Sequence, residues 1–239
     1  MQIIFDFMRW MHIIGGYLAL AMFWIPIVSR KGGRVHRRAG WIYAAGMIAV
    51  SVSAFYMAVY RIAWDAGPEP DIIPFSWFLL FISILSATTA YYGIRVLRFK
   101  RRSAPHRAVL DYLLPVLLFA SGIGMSIYGF ALQFPLLSYF PWLGIFLGGS
   151  MLFYWMTAPK TRSHWAVEHI IGMMSCCIAT ITAFIVFGAP RLLNIDAVNL
   201  IIWFLPTILL VPLILYFIYQ YRKKMDGNRA MHGAHNEKM

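Results

Sequence analysis

The residues best suited to chemistry in this chain sit at the junctions between basic loops and apolar segments. Three times a basic loop is followed at once by a histidine that opens the next apolar stretch, at His36, His106 and His164. Two carboxylates, Asp111 and Glu168, and a further imidazole, His169, follow within about a turn and a half of helix. His164 and Glu168 are four residues apart and share a helical face, whereas His169 lies about 140° around from His164. Asp111 stands five residues after His106, as His169 stands five after His164, so two packed hairpins would bring Asp111 and His169 to one depth. The segment His-x-x-x-Glu-His offers two imidazoles and a carboxylate within two turns. Those are ligand types for zinc, iron or manganese, and they are also groups that relay protons. The spacing is neither H-E-x-x-H nor H-x-x-E-H, so it does not signal a protease. The expectation is a cavity near the cytoplasmic face lined by His36, His106, Asp111, His164, Glu168 and His169, binding a metal cation or passing protons. The competing reading is structural. Each histidine would be an interfacial residue, Ser103 and Ser163 would cap helices, Pro105 would occupy a first turn, and the two carboxylates would neutralise Arg37, Arg38 or Arg107 or favour a helix N-terminus.

His12 stands apart, near the opposite end of the first apolar segment and followed by Gly15 and Gly16. It is the one candidate for holding a cofactor such as haem. It would lie roughly 15–20 Å from His169 along the membrane normal, which rules out a bis-histidine pair between the two. Haem is accordingly a weaker expectation than zinc or iron.

The elements that position these residues are apolar spans. Of the 239 residues, 61% are hydrophobic and 13% charged, against about 45–50% and about 25% in a soluble domain. Seven segments come close to the roughly 20 residues needed to cross the hydrocarbon: 7–28, 41–63, 74–97, 107–133, 134–157, 165–188 and 199–221. The first lacks a basic region before it and reads as a retained span. The fold class is therefore all-α, a polytopic membrane helix bundle, with residues 1–221 as one seven-span domain and 222–239 as a polar, disordered cytoplasmic tail.

The net charge of +12 does not indicate nucleic acid, because 18 of the 21 Lys and Arg lie in alternate loops and the tail. Those groups favour anionic headgroups and place the N-terminus outside and the C-terminus in the cytoplasm. The reading is a multi-pass protein of a bacterial inner membrane, with the lipid bilayer as its principal partner. Spans one and two, three and four, and five and six each read as a hairpin with a basic turn, a weak internal repeat of the kind found in transporters. Small residues in span four (Ala120, Ser121, Gly122, Gly124, Ser126, Gly129) and span five (Gly144, Gly148, Gly149) point to close helix packing within the bundle, with a homodimer face as the alternative. Cys176 and Cys177 read as mid-span packing residues, and Pro115, Pro206 and Pro212 as kinks or local breaks.

His12-Ile-Ile-Gly-Gly-Tyr-Leu-Ala-Leu, Lys31-Gly, His36-Arg-Arg-Ala-Gly-Trp-Ile-Tyr43 and Met47 resemble a family of bacterial predicted membrane proteins of unknown function, most clearly over residues 10–60. The resemblance implies an integral membrane protein, brings no activity, and marks His12 and His36 for testing. The functions in play are a small transporter or redox-associated membrane protein, an intramembrane metal-dependent hydrolase, and a non-catalytic scaffold. Seven-span hydrolases resembling ceramidases and progestin-type receptors use three histidines and a carboxylate. This chain lacks their His-x-x-x-His in the last span, which weakens that reading.

Overall fold

The computed structural model describes residues 2–64, 71–106, 108–188 and 200–236, with side chains of the last segment described for 201–223. Among the described residues there is no strand. The helices are α1 (Gln2–Met22), α2 (Trp24–Val28), α3 (Arg34–Trp64), α4 (Ile72–Arg95), α5 (Val109–Ala131), α6 (Pro135–Tyr139), α7 (Trp142–Met156), α8 (His164–Ala183) and α9 (Leu200–Asn236). A 3-10 turn, Val96–Arg98, extends α4, and a π turn, Phe184–Gly188, extends α8. Seven of the resulting stretches are long and apolar enough to cross a membrane: Gln2–Val28, Arg34–Trp64, Ile72–Arg98, Val109–Ala131, Pro135–Met156, His164–Gly188 and Ile201–Lys223. These match the seven expected spans. The α9 helix runs furthest past its expected end, from 221 through Asn236, and the basic stretch 34–40 is already wound into α3. The disordered tail expected from 222 onward falls, beyond residue 223, outside the residues whose side chains are described.

Turns follow local chemistry. Gly32 adopts φ 76° between α2 and α3, where a side chain would be strained. After α5, Gln133 takes φ 55° while Phe134 N–H donates to Gly129 O at 3.0 Å and Gln133 N–H to Phe130 O at 3.3 Å, a Schellman closure that turns the chain into α6. The helices run through Pro115, Pro206 and Pro212 without a break. The first span is interrupted instead at Phe23, three residues before Pro26.

The helix α4 is the centre of the bundle, packed against α3, α5 and α8. Glycines set the close approaches. A Cβ added to Gly148 would come within 2.9 Å of Phe119 N and Pro115 O, so α7 meets α5 backbone to backbone, and one on Gly144 would come within 2.6 Å of the Phe81 ring of α4. Gly93 and Gly172 do the same for α4 and α8, since a Cβ on Gly172 would lie 2.7 Å from Gly93 Cα. Gly122, Ser126 and Gly129 of span four and Gly144 and Gly148 of span five thus pack within the bundle, whereas Ala120 and Gly124 are exposed. Cys176 and Cys177 are free and buried, as expected.

Two expectations are corrected. Spans five and six do not form a hairpin packed along its length. The α7 helix packs on α5, and α8 packs on α4 and α9, because the glycine contacts just described draw each helix to a different neighbour. The start of the fourth span is also displaced. Helix α5 begins at Val109 behind Ala108, which has no side chain able to cap, so Ser103 and Pro105 lie in a loop and not in a first turn. That loop is bonded to the end of α7: His106 N–H donates to Trp155 O at 2.9 Å, and Arg102 donates to Tyr154 O and Thr157 O at 2.8 Å each. Ser163 does stand at the N-cap position of α8, but its side chain makes no capping bond.

Candidate functional site

The last turns of α4 gather the candidate residues. Tyr91, Tyr92, Gly93 and Arg95 follow one another closely on this helix, and side chains from α5 and α8 reach all four. Successive helical residues point about 100° apart, so α4 serves its two neighbours from different faces at one depth.

Toward α5, Asp111 is almost fully buried, with 1% of its surface exposed. Arg95 Nε donates to Oδ1 at 2.7 Å and to Oδ2 at 3.1 Å, and Arg95 Nη2 donates to Oδ2 at 2.9 Å. The Tyr91 hydroxyl donates to Oδ1 at 2.8 Å, and His106 Nε2 lies 2.6 Å from Oδ2. The His106 ring is clamped between Phe99 and Trp155, at centroid distances of 4.4 and 4.6 Å, and its carbonyl accepts from the Tyr112 hydroxyl at 2.7 Å. Both oxygens of Asp111 are saturated and its charge is matched. This constellation is a lock joining α4, α5 and the loop between them.

Toward α8, the arrangement is different. Glu168 is partly buried and accepts one hydrogen bond, from the Tyr92 hydroxyl at 2.6 Å. No ion pair to it exists among the described residues. Arg102 and Arg222 act on it electrostatically, neither within ion-pair distance. The Tyr92 ring is buried edge-on against Tyr154 and Trp155. The Tyr154 hydroxyl hydrogen-bonds His164 Nδ1 at 2.8 Å, and the Arg102 guanidinium lies 4.4 Å from the Tyr154 ring centroid.

A third group joins α8 to the first hairpin. His169 Nδ1 lies 2.7 Å from Gly93 O, and His36 Nδ1 lies 3.1 Å from Pro26 O. A backbone carbonyl only accepts, so each Nδ1 carries the hydrogen and the neutral ring keeps a lone pair on Nε2. The two rings are 6.3 Å apart, edge to face. Lys31 Nζ donates to Pro26 O at 2.9 Å and to Ile27 O, and partial burial holds its ammonium below the ordinary lysine range.

The expected common depth is therefore found, because Asp111, Glu168 and His169 meet three consecutive residues of α4. The single cavity is not. The six residues divide into His106 with Asp111, His164 beside Glu168 with Tyr154 and Tyr92 between them, and His36 with His169. Among the described residues no group of three or more His, Cys, Asp or Glu could hold a metal ion. The reason is that Arg95, the tyrosines and backbone carbonyls take up the donor atoms first. His12 is remote from this end of the bundle: its Nδ1 lies 3.2 Å from Val50 O and 3.1 Å from Ser53 Oγ, tying α1 to α3.

Sequence reasoning missed Tyr91, Tyr92, Arg95, Arg102 and Tyr154. Arg95 carries a signal, since an arginine inside a span needs a partner.

Residues 9–128 match the family model described as "Predicted membrane protein (DUF2306)". The chain belongs to this family. The match takes in the first four spans, including His12, His36, His106, Asp111 and the α4 segment, and stops before α8. No curated protein and no solved structure matches the chain. Together with the seven apolar helices, membership makes this a multi-pass membrane protein.

Proposed function

We propose that this is a proton-coupled membrane protein whose proton-exchanging group is the Glu168 carboxyl, placed by its basic loops in the cytoplasmic leaflet of a bacterial inner membrane. The observation that carries the reading is the contrast between its two inward carboxylates. Asp111 is bonded by an arginine, a tyrosine and a histidine, whereas Glu168 has one tyrosine hydroxyl and no ion pair among the described residues. An ionisable group in a span is costly, roughly 2.5–3.5 kcal/mol or more at mid-membrane, and is retained where protons or ions pass. A carboxyl with one neutral donor changes its charge at less cost than one locked to a guanidinium. Tyr92 donates to the ionised form, and the more distant Arg102 and Arg222 add a positive field.

The test is infrared titration of the protein reconstituted in lipid, from about pH 4 to about pH 9. The expected result is a protonated-carboxyl band that responds to pH, is absent from Glu168→Gln and changes frequency in Tyr92→Phe, while Asp111→Asn leaves it in place. A spectrum unaltered by Glu168→Gln across that range would remove the basis of the proposal.

A further inference from the structure

A cleft of about 550 Å³ opens between α3, α4 and α5 on the side of α4 away from Glu168. That volume falls within the roughly 300–1,000 Å³ of small-ligand sites. The cleft exists because small side chains face each other across it. Ala44 and Ser51 on α3 and Ala87 and Ala90 on α4 stand where larger residues would close the seam. Its lining on α3 runs from Trp41 to Val52 and on α4 from Ala87 to Arg98, eleven residue steps in each case, or roughly 16 Å at 1.5 Å per residue. That is about half of the roughly 30 Å hydrocarbon thickness, which is the depth of one leaflet.

The two ends of the cleft differ. At the basic end stand Arg95 and Arg98. Arg95 is neutralised by Asp111 through Nε and Nη2, leaving Nη1 outside that pair. Arg98 is exposed and has no ion pair among the described residues. The rest of the wall is apolar apart from Tyr91, whose hydroxyl is bonded to Asp111, and Ser51, which is 5% exposed and whose hydroxyl has no hydrogen-bond partner among the described residues. An apolar slot one leaflet deep, with a cation at the headgroup level that has no ion pair among the described residues, is complementary to one molecular shape.

We infer that this cleft binds an anionic phospholipid of the surrounding bilayer, with one acyl chain lying between α3 and α4 and the phosphate at Arg98 and the free edge of Arg95. The inference stands independently of the Glu168 proposal, since none of its residues touches that group.

The experiment is native mass spectrometry of the full chain released from vesicles of equal phosphatidylglycerol and phosphatidylcholine. The wild type retains one phosphatidylglycerol about tenfold in preference to phosphatidylcholine, the size of one charge-assisted contact. Arg98→Gln, an exposed change that does not disturb the core, loses that preference, and Ala87→Phe, which fills the slot, loses the retained lipid altogether. Equal retention of both lipids by the wild type would overturn the inference, as would a phosphatidylglycerol preference that persists in Arg98→Gln. Should Ala87→Phe fail to fold, the Arg98→Gln result decides alone.

Discussion

Replacing Asp111 by Asn tests the lock between α4 and α5. The substitution keeps shape but removes the charge that faces Arg95 and one of the acceptors used by Tyr91 and His106. Breaking a fully buried ion pair from one side costs about 3–5 kcal/mol, because the abandoned charge stays buried. Asp111 is fully enclosed, but the Arg95 side chain is 22% exposed and gains some solvation when released, so the ion-pair loss is discounted to about 2 kcal/mol. The one bond lost with that acceptor, from Tyr91 or His106, adds about 0.6 kcal/mol on the scale measured between membrane helices. The expected loss is about 3 kcal/mol. Asp111→Asn combined with Arg95→Met should recover most of it, since removing both charges leaves no orphaned charge. Unfolding by sodium dodecyl sulfate from mixed micelles, followed by helical circular dichroism, measures both variants. If the double variant is as unstable as the single one, the loss does not come from an uncompensated Arg95, and the lock is misassigned.

Two further outcomes are expected from the packing. Gly172→Leu forces side-chain atoms into the backbone of Gly93, so it should destabilise the protein by at least the roughly 1–3 kcal/mol of an overpacked core in the same unfolding assay, whereas the same change at Gly124, which meets open space, should cost far less. Tyr154→Phe removes the hydrogen bond to His164 Nδ1 and should cost about 0.6 kcal/mol and no more than about 1.7. In the nuclear magnetic resonance of labelled histidine, it should shift the His164 ring while leaving that of His36 unmoved.

The seven spans and the common depth of Asp111, Glu168 and His169 could be read from the chain because both follow from period and length alone. Hydrocarbon thickness fixes how long an apolar helix must be, and equal offsets from equivalent loops fix level. The grouping of the side chains could not be read in that way. Whether His106 meets Asp111 or His164 depends on which helices are neighbours. That was decided by Gly93 against Gly172 and by Gly148 against Phe119, contacts between residues far apart in sequence. The offset of five that relates His106 to Asp111 also relates His164 to His169, yet the first pair is bonded and the second is not. His106 lies in an unwound loop and can turn back toward Asp111, whereas His164 is already helical and points elsewhere. An assumption of equivalent hairpins therefore gave the right level and the wrong partners.

Helix α4 makes the difference between the two carboxylates a consequence of helical geometry. Tyr91 and Tyr92 are the same residue type, one position apart, and each donates to a carboxylate. Rotation by about 100° sends Tyr91 to the face that also carries Arg95, four residues on, and sends Tyr92 to a face where the residue four on is Val96. The α5 side thus receives a hydroxyl and a guanidinium, and the α8 side a hydroxyl alone. One stretch of one helix gives Asp111 a hydroxyl and a guanidinium and gives Glu168 a hydroxyl without an ion pair among the described residues, which is the contrast on which the proposed role of Glu168 rests. Exchanging the properties of the two sites would require moving a cation to position 96 and not altering either carboxylate.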